Sequence, residues 1–201
     1  MRNQMRHGGI LAVLLGMAAV SAASMLPTFP LRPESRIWVE GTSTVRSFTC
    51  KAGDLTGSVD PAPGTARLEI AGLDAAVRGA AVTVPVRGLE CGNGTMNEHL
   101  RKALKSGQHP AIEYRLSSYE VVAAGSEQAT VKMAGKLTMA GQERPIAIEG
   151  VAAPAADGAL RVRGSKEIVM SEFGVKPPSL MMGTMKVGDR VTVQFDVVLR
   201  P

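Results

Sequence analysis

Aromatic side chains are scarce in this 201-residue chain, which has one Trp, two Tyr and four Phe. Few of them lie among its scattered basic residues, so the stacking platforms that hold nucleic acid have little to be built from. Histidine and cysteine are scarcer, at three and two residues. His99 and His109 are too isolated from each other and from other ligand types to frame a metal centre, and no metal or cofactor is expected. No Ser stands in a nucleophile elbow, and nothing in the sequence places a second carboxylate beside Glu172. Hydrolysis therefore has no recognisable machinery, and the chain reads as a non-enzyme. The longest apolar run, Gly9–Val20, falls short of the roughly 20 residues a membrane-spanning helix needs.

That run has a different meaning. Arg2 and Arg6 precede it, and Ser21, Ala22 and Ala23 supply the small residues at which a signal peptidase cuts. Residues 1–23 are thus expected to be a secretory signal, placing the mature chain in the periplasm or outside the cell. The two arginines account for two of the five formal positive charges, leaving an excess of +3 that permits only a weak, transient attraction to anionic membrane surfaces. Residues 24–34 contain Pro27, Pro30 and Pro33 and are expected to be an extended linker. Residues 35–200 show no internal boundary or repeat and predict a single domain.

Within that domain the dominant period is two. Ile112, Tyr114 and Leu116 share one strand face; Val131, Met133, Leu137 and Met139 share another; Val191, Val193, Phe195, Val197 and Leu199 form the clearest row. Further strands are expected at Ile37–Val39, Thr42–Thr49, Gly53–Val59, Ala66–Ile70, Ala81–Val86, Ile146–Ile148 and, after the Asp157-Gly158 turn, Leu160–Val162. One segment breaks the pattern. Met96, Leu100, Ala103 and Leu104 recur at helical spacing, and Gly107 with Pro110 ends the run. These signs predict an all-β fold, an antiparallel barrel of about eight strands with one amphipathic helix covering part of it.

Cys50 and Cys91 are the only thiols, and export to an oxidising compartment predicts that they pair. Methionine gathers in the second half, with Met181 and Met182 in a segment bounded by Pro177-Pro178. Its flexible thioether suits either the lining of an irregular channel or the filling of core gaps. Copper binding through these thioethers lacks a neighbouring His or a regular Met spacing.

The strings G-T-S-T-V at Gly41–Val45, M-N-E-H-L-R-K-A-L leading to H-P-A-I-E-Y at His109–Tyr114, G-K-L-T-M-A-G-Q-E-R-P-I at Gly135–Ile146, S-E-F-G-V at Ser171–Val175 and V-G-D-R-V-T-V at Val187–Val193 are specific in this order and spacing. Together they resemble the YceI-like family of exported bacterial proteins, over nearly the whole chain after the linker. The resemblance implies a lipocalin-like barrel whose apolar cavity holds a polyisoprenoid or isoprenoid quinone, without catalytic motif. The cysteine pair and the Leu180–Met185 segment depart from the general pattern of the family. With the strand rows above, the resemblance predicts a ligand cavity lined by Ile112, Tyr114, Leu116, Val131, Met133, Leu137, Met139, Met181, Met182, Val191, Val193, Phe195 and Val197. A structural adaptor whose barrel is filled by its own side chains is the alternative, and cavity volume discriminates the two.

Overall fold

The structure, a computed structural model, describes residues 28–180 and 185–200. The expected signal segment 1–23 and residues Met181 and Met182 lie outside the described residues. In chain order the elements are β1 (Phe29–Pro30), β2 (Arg36–Ser43), β3 (Ser47–Ala52), β4 (Thr56–Pro61), β5 (Val77–Pro85), β6 (Leu89–Glu90), α1 (Gly94–Ala103), β7 (Ala111–Ala124), β8 (Ala129–Met139), β9 (Gln142–Pro154), β10 (Leu160–Val169), β11 (Ser179–Leu180) and β12 (Met185–Leu199).

The described strands form one antiparallel sheet in the order β1-β4-β5-β7-β8-β9-β10-β12-β2-β3-β6, with β11 pairing β12 off this path. Turns that contain αL residues set the long hairpins. Ala140 (φ 51°) and Gly141 (φ 84°) join β8 to β9, and Asp157 (φ 58°) and Gly158 (φ 70°) lie in the turn from β9 to β10. Positive φ at successive turn residues matches the right-handed twist of the strands they join.

The sheet curls into a half-barrel with more strands than the expected eight, and its ladder does not close. The β4–β5 edge and the β3 edge are bridged in other ways at the two ends. At one end the 29–32 segment bonds both sides: Leu31 N–H donates to Gly57 (3.0 Å) and Arg32 N–H to Val198 (2.7 Å). At the other, the chain leaves β5 at Pro85, turns through Val86–Gly88 and pairs β6 with β3. A proline ends the β5 ladder because it has no N–H to donate.

Three expectations change here. Part of the presumed linker, residues 28–34, contributes β1 and buries Phe29. Its prolines suit this position because an edge strand tolerates missing donors. The Ala66–Ile70 strand is instead a loop, but Leu68 and Ile70 are buried in it. Their alternation reflects two side chains plugging one end of the half-barrel, with no partner strand alongside. The predicted strand Thr42–Thr49 is a hairpin, β2 turning into β3, with Ser43 capping the turn by accepting from Arg46 N–H at 3.1 Å.

Buried apolar side chains form two clusters. One joins Phe29, Leu68, Ile70, Leu73, Val131, Ala152 and Leu160 at the plugged end. The other joins Val84, Val86, Leu104, Met139, Ile168, Phe173 and Val191 at the helix end. What lies between them is not filled.

Candidate functional site

Between the two clusters runs a cavity of about 580 Å³, within the range of pockets that enclose a small molecule. Its surface is almost entirely apolar, and it takes residues from β2, β3, β4, β5, β7, β8, β9, β10, β12 and α1. The helix forms part of the wall. Asn93 caps it, accepting from Met96 N–H at 3.1 Å, and Met96, His99, Leu100, Ala103 and Leu104 line the cavity. Buried Asn97 fixes the helix from the other side: it accepts from Cys91 N–H at 2.7 Å and donates to Glu90. Arg101 pairs with the same Glu90 at 3.2 Å. The disulfide Cys50–Cys91 then staples β3 to the segment entering the helix, and both cysteines lie in the cavity wall.

The sequence rows divide. Ile112, Tyr114, Met133, Leu137, Met139, Val191, Val193, Phe195 and Val197 all line the cavity. Val131 does not; it is buried at the plugged end, because alternation fixes the face of a strand but not the depth along it. Leu116 pairs with Gly135 beside a register shift, is half-buried and does not line the cavity. The shift between Leu116 and Ser118 passes the inward face to Tyr119 and Val121, a slip that period two alone does not foresee. Lys166 and the helix residue His99 were not predicted. Lys166 carries a signal in hindsight: it interrupts the row Leu160, Val162, Gly164, Ile168.

Three rings pack against glycines on the neighbouring strand, in the space that a side chain there would take. A Cβ at Gly164 would come within 2.5 Å of Phe195 Cζ, one at Gly135 within 2.7 Å of Tyr114 Cε2, and one at Gly41 within 2.4 Å of Phe48 Cζ. Without the glycine each ring would have to swing inward.

The two tyrosines behave differently. Tyr119 donates to Leu73 carbonyl at 2.5 Å and accepts from Val77 N–H at 3.1 Å, tying the plugging loop to the sheet. The Tyr114 hydroxyl is buried without a hydrogen-bond partner. Desolvation by burial pushes its pKa up to about 12. Among the described residues no cluster of His, Cys, Asp or Glu is arranged to hold a metal.

Three solved structures share this architecture. BcnA of Burkholderia cenocepacia is 18% identical with a TM-score of 0.63, covering 82% of this chain and 95% of its own. A polyisoprenoid-binding domain from Saccharophagus degradans, implicated in plant cell wall breakdown, is 12% identical with a TM-score of 0.65, covering 88% and 99%. The YceI protein of Campylobacter jejuni is 19% identical with a TM-score of 0.56, covering 76% and 84%. At these identities the likeness establishes the fold. No curated protein matches the chain. The sequence itself decides the family: residues 34–199 match the model of the YceI-like domain, and the chain belongs to that family.

Proposed function

We propose that the chain binds an isoprenoid-type lipid, a polyisoprenoid or isoprenoid quinone, in the lumen of its half-barrel and shields it from water during storage or transfer in the periplasm. The observation that carries this reading is the cavity of about 580 Å³ with an almost wholly apolar surface. A barrel serving only as an adaptor gains stability by filling that space, since interiors pack to the density of organic crystals. Membership in the YceI-like family and the fold shared with a polyisoprenoid-binding domain support the ligand class. The export signal expected from residues 1–23 is what supports the compartment.

Affinity does not require polar anchors. Each buried CH₂ contributes about 0.8 kcal/mol, so a few isoprene units suffice, and ordering costs hold longer tails below the practical ceiling. The reading is of binding without chemistry on the cargo. Its test is lipid extraction and native mass spectrometry of the exported protein, followed by reloading of the delipidated protein with quinones and polyprenols. Recovery of a chain-like apolar ligand in stoichiometric amount supports it. Protein that retains none of a range of such lipids points to the adaptor.

A further inference from the structure

The two ends of the cavity differ. Phe29, Leu68, Ile70 and Leu73 plug one of them. At the helix end the wall runs out to exposed residues: Val45 and Arg46 in the turn between β2 and β3, and Asn93 and Thr95 at the start of α1. Val45 is 65% exposed, more than any other large apolar side chain described. A single exposed valine is ordinary on a protein surface, but this one stands at the mouth of an apolar cavity. Its turn is fixed, because Ser43 Oγ accepts from Val45 N–H at 3.3 Å and from Arg46 N–H at 3.1 Å.

Cations flank this tip. Arg46 follows Val45 and is exposed. Lys186, also exposed, is bonded to the same turn: Thr44 N–H donates to the Lys186 carbonyl at 3.0 Å, and Lys186 N–H donates to Thr44 Oγ1 at 3.2 Å. Lys176 is exposed between Val175 and Pro178, both in the wall, and the Pro178 carbonyl accepts from Val187 N–H at 3.0 Å. Among the described residues no carboxylate pairs with these three cations, and none lines the cavity. The acids nearest in the chain are engaged or face elsewhere. Asp189 accepts from Ser171 N–H at 2.8 Å and from its hydroxyl at 2.5 Å. Glu172 lies beside Arg144, whose Nε–H donates to the Glu172 carbonyl at 3.2 Å. Glu98 falls with Arg101 and Lys105 on the helix face away from the cavity.

We propose that this mouth docks on an anionic phospholipid surface, with Val45 entering the headgroup layer while Arg46, Lys176 and Lys186 meet the phosphates. The proposal rests on the lipid-binding reading above and adds the surface from which the lumen is filled. An isoprenoid chain stays out of water for the same reason that it fills an apolar cavity, so a carrier has to bring its mouth to the bilayer. Apolar insertion and basic residues reinforce each other at such a surface. The same rim of one sign opposes face-to-face pairing with a second copy.

The test is co-sedimentation of the exported protein with phosphatidylcholine vesicles that contain or lack phosphatidylglycerol. Wild type is expected to bind the anionic vesicles about tenfold or more tighter, since each basic residue near such a surface gives about fivefold. Lys176→Glu combined with Lys186→Glu should remove that preference, and Val45→Asp should weaken binding several-fold. Arg67→Glu combined with Lys132→Glu makes the same change in net charge, in the plugging loop and on the outer face of β8, and should keep most of it. Retention of a short-chain ubiquinone in solution should be unchanged by the Lys176 and Lys186 pair, while its transfer to anionic vesicles slows several-fold. Equal binding of wild type to both vesicles, or equal losses from the two double variants, overturns the docking surface and leaves lipid binding intact. Self-association without vesicles that Val45→Asp abolishes gives the mouth to a second copy and overturns it as well. Docking by a chain that takes up no lipid upholds the surface and overturns the reading of the lumen.

Discussion

At the scale of single residues, the cavity wall contains pairs in which a ring occupies the place of a missing side chain. Phe195 lies over Gly164, with room for no Cβ between them. A larger ring at this position has nowhere to go but the cavity, so Phe195→Trp is expected to weaken lipid retention more than it lowers thermal stability. Gln194→Ala, on the opposite face of β12, should leave retention unchanged; equal losses from both would show that Phe195 does not border the ligand. Tyr114 gives a second prediction, readable without ligand. Its folded-state pKa is raised to about 12 by burial, above the ordinary value of 10.0. The folded chain holds this proton more tightly than the unfolded one, so the contribution is complete below pH 10 and disappears as pH rises towards 12. Urea midpoints measured across that interval should fall for wild type and fall less for Tyr114→Phe. Identical pH slopes for the two proteins would mean that the phenol ionises as it does in water.

At the scale of elements, legibility followed whether the cause was local. The helix was readable because Met96, Leu100, Ala103 and Leu104 place one face against the wall, and that is where they lie. Leu104 is only 4% exposed, whereas Lys102 is solvated on the far side. Leu104→Ala is expected to cost about 2–4 kcal/mol in a denaturant titration, from lost transfer energy and the void left behind. Lys102→Ala should change stability by less than about 0.5 kcal/mol. Comparable losses would refute the face assignment. The long rows of β7, β8 and β12 were readable for the same reason, since alternation records which face is dry. What alternation does not record is depth, partner or interruption. Val131 has the right face and the wrong depth, and the register shift after Leu116 changes faces without any mark in composition. Leu68 and Ile70 alternate like a strand, yet the loop that holds them finds its order only by covering the end of the sheet. Lys166 was passed over because a single lysine in a short row reads as an outward residue until its neighbours fix the face.

At the scale of the whole molecule, the curled sheet leaves its edges unpaired, and closure falls to the 29–32 segment at one end and to the β5–β6 connection, the helix and the disulfide at the other. No periodicity in the sequence reports this, because closure joins segments far apart in the chain, and a closed eight-stranded barrel shows the same alternation. The cysteine pair was the exception: two thiols in a chain expected to be exported have few alternatives, and Cys50 and Cys91 are bonded across a separation of 41 residues. A loop of that length implies about 4 kcal/mol of stabilisation on the chain-entropy account. The bond also joins β3 to the residues that enter α1, so it holds the helix wall against the sheet edge. Replacing both cysteines by alanine is therefore expected to have two effects. The denaturation midpoint should fall by an amount of that order, and loaded lipid should leave several times faster in a transfer assay to vesicles, because the helix can swing away from β3 without unfolding the rest. The two readouts separate the roles. Lower stability with an unchanged release rate would make the disulfide a brace for folding alone, whereas faster release under conditions where the variant remains fully folded would identify the helix and its staple as the side through which cargo passes.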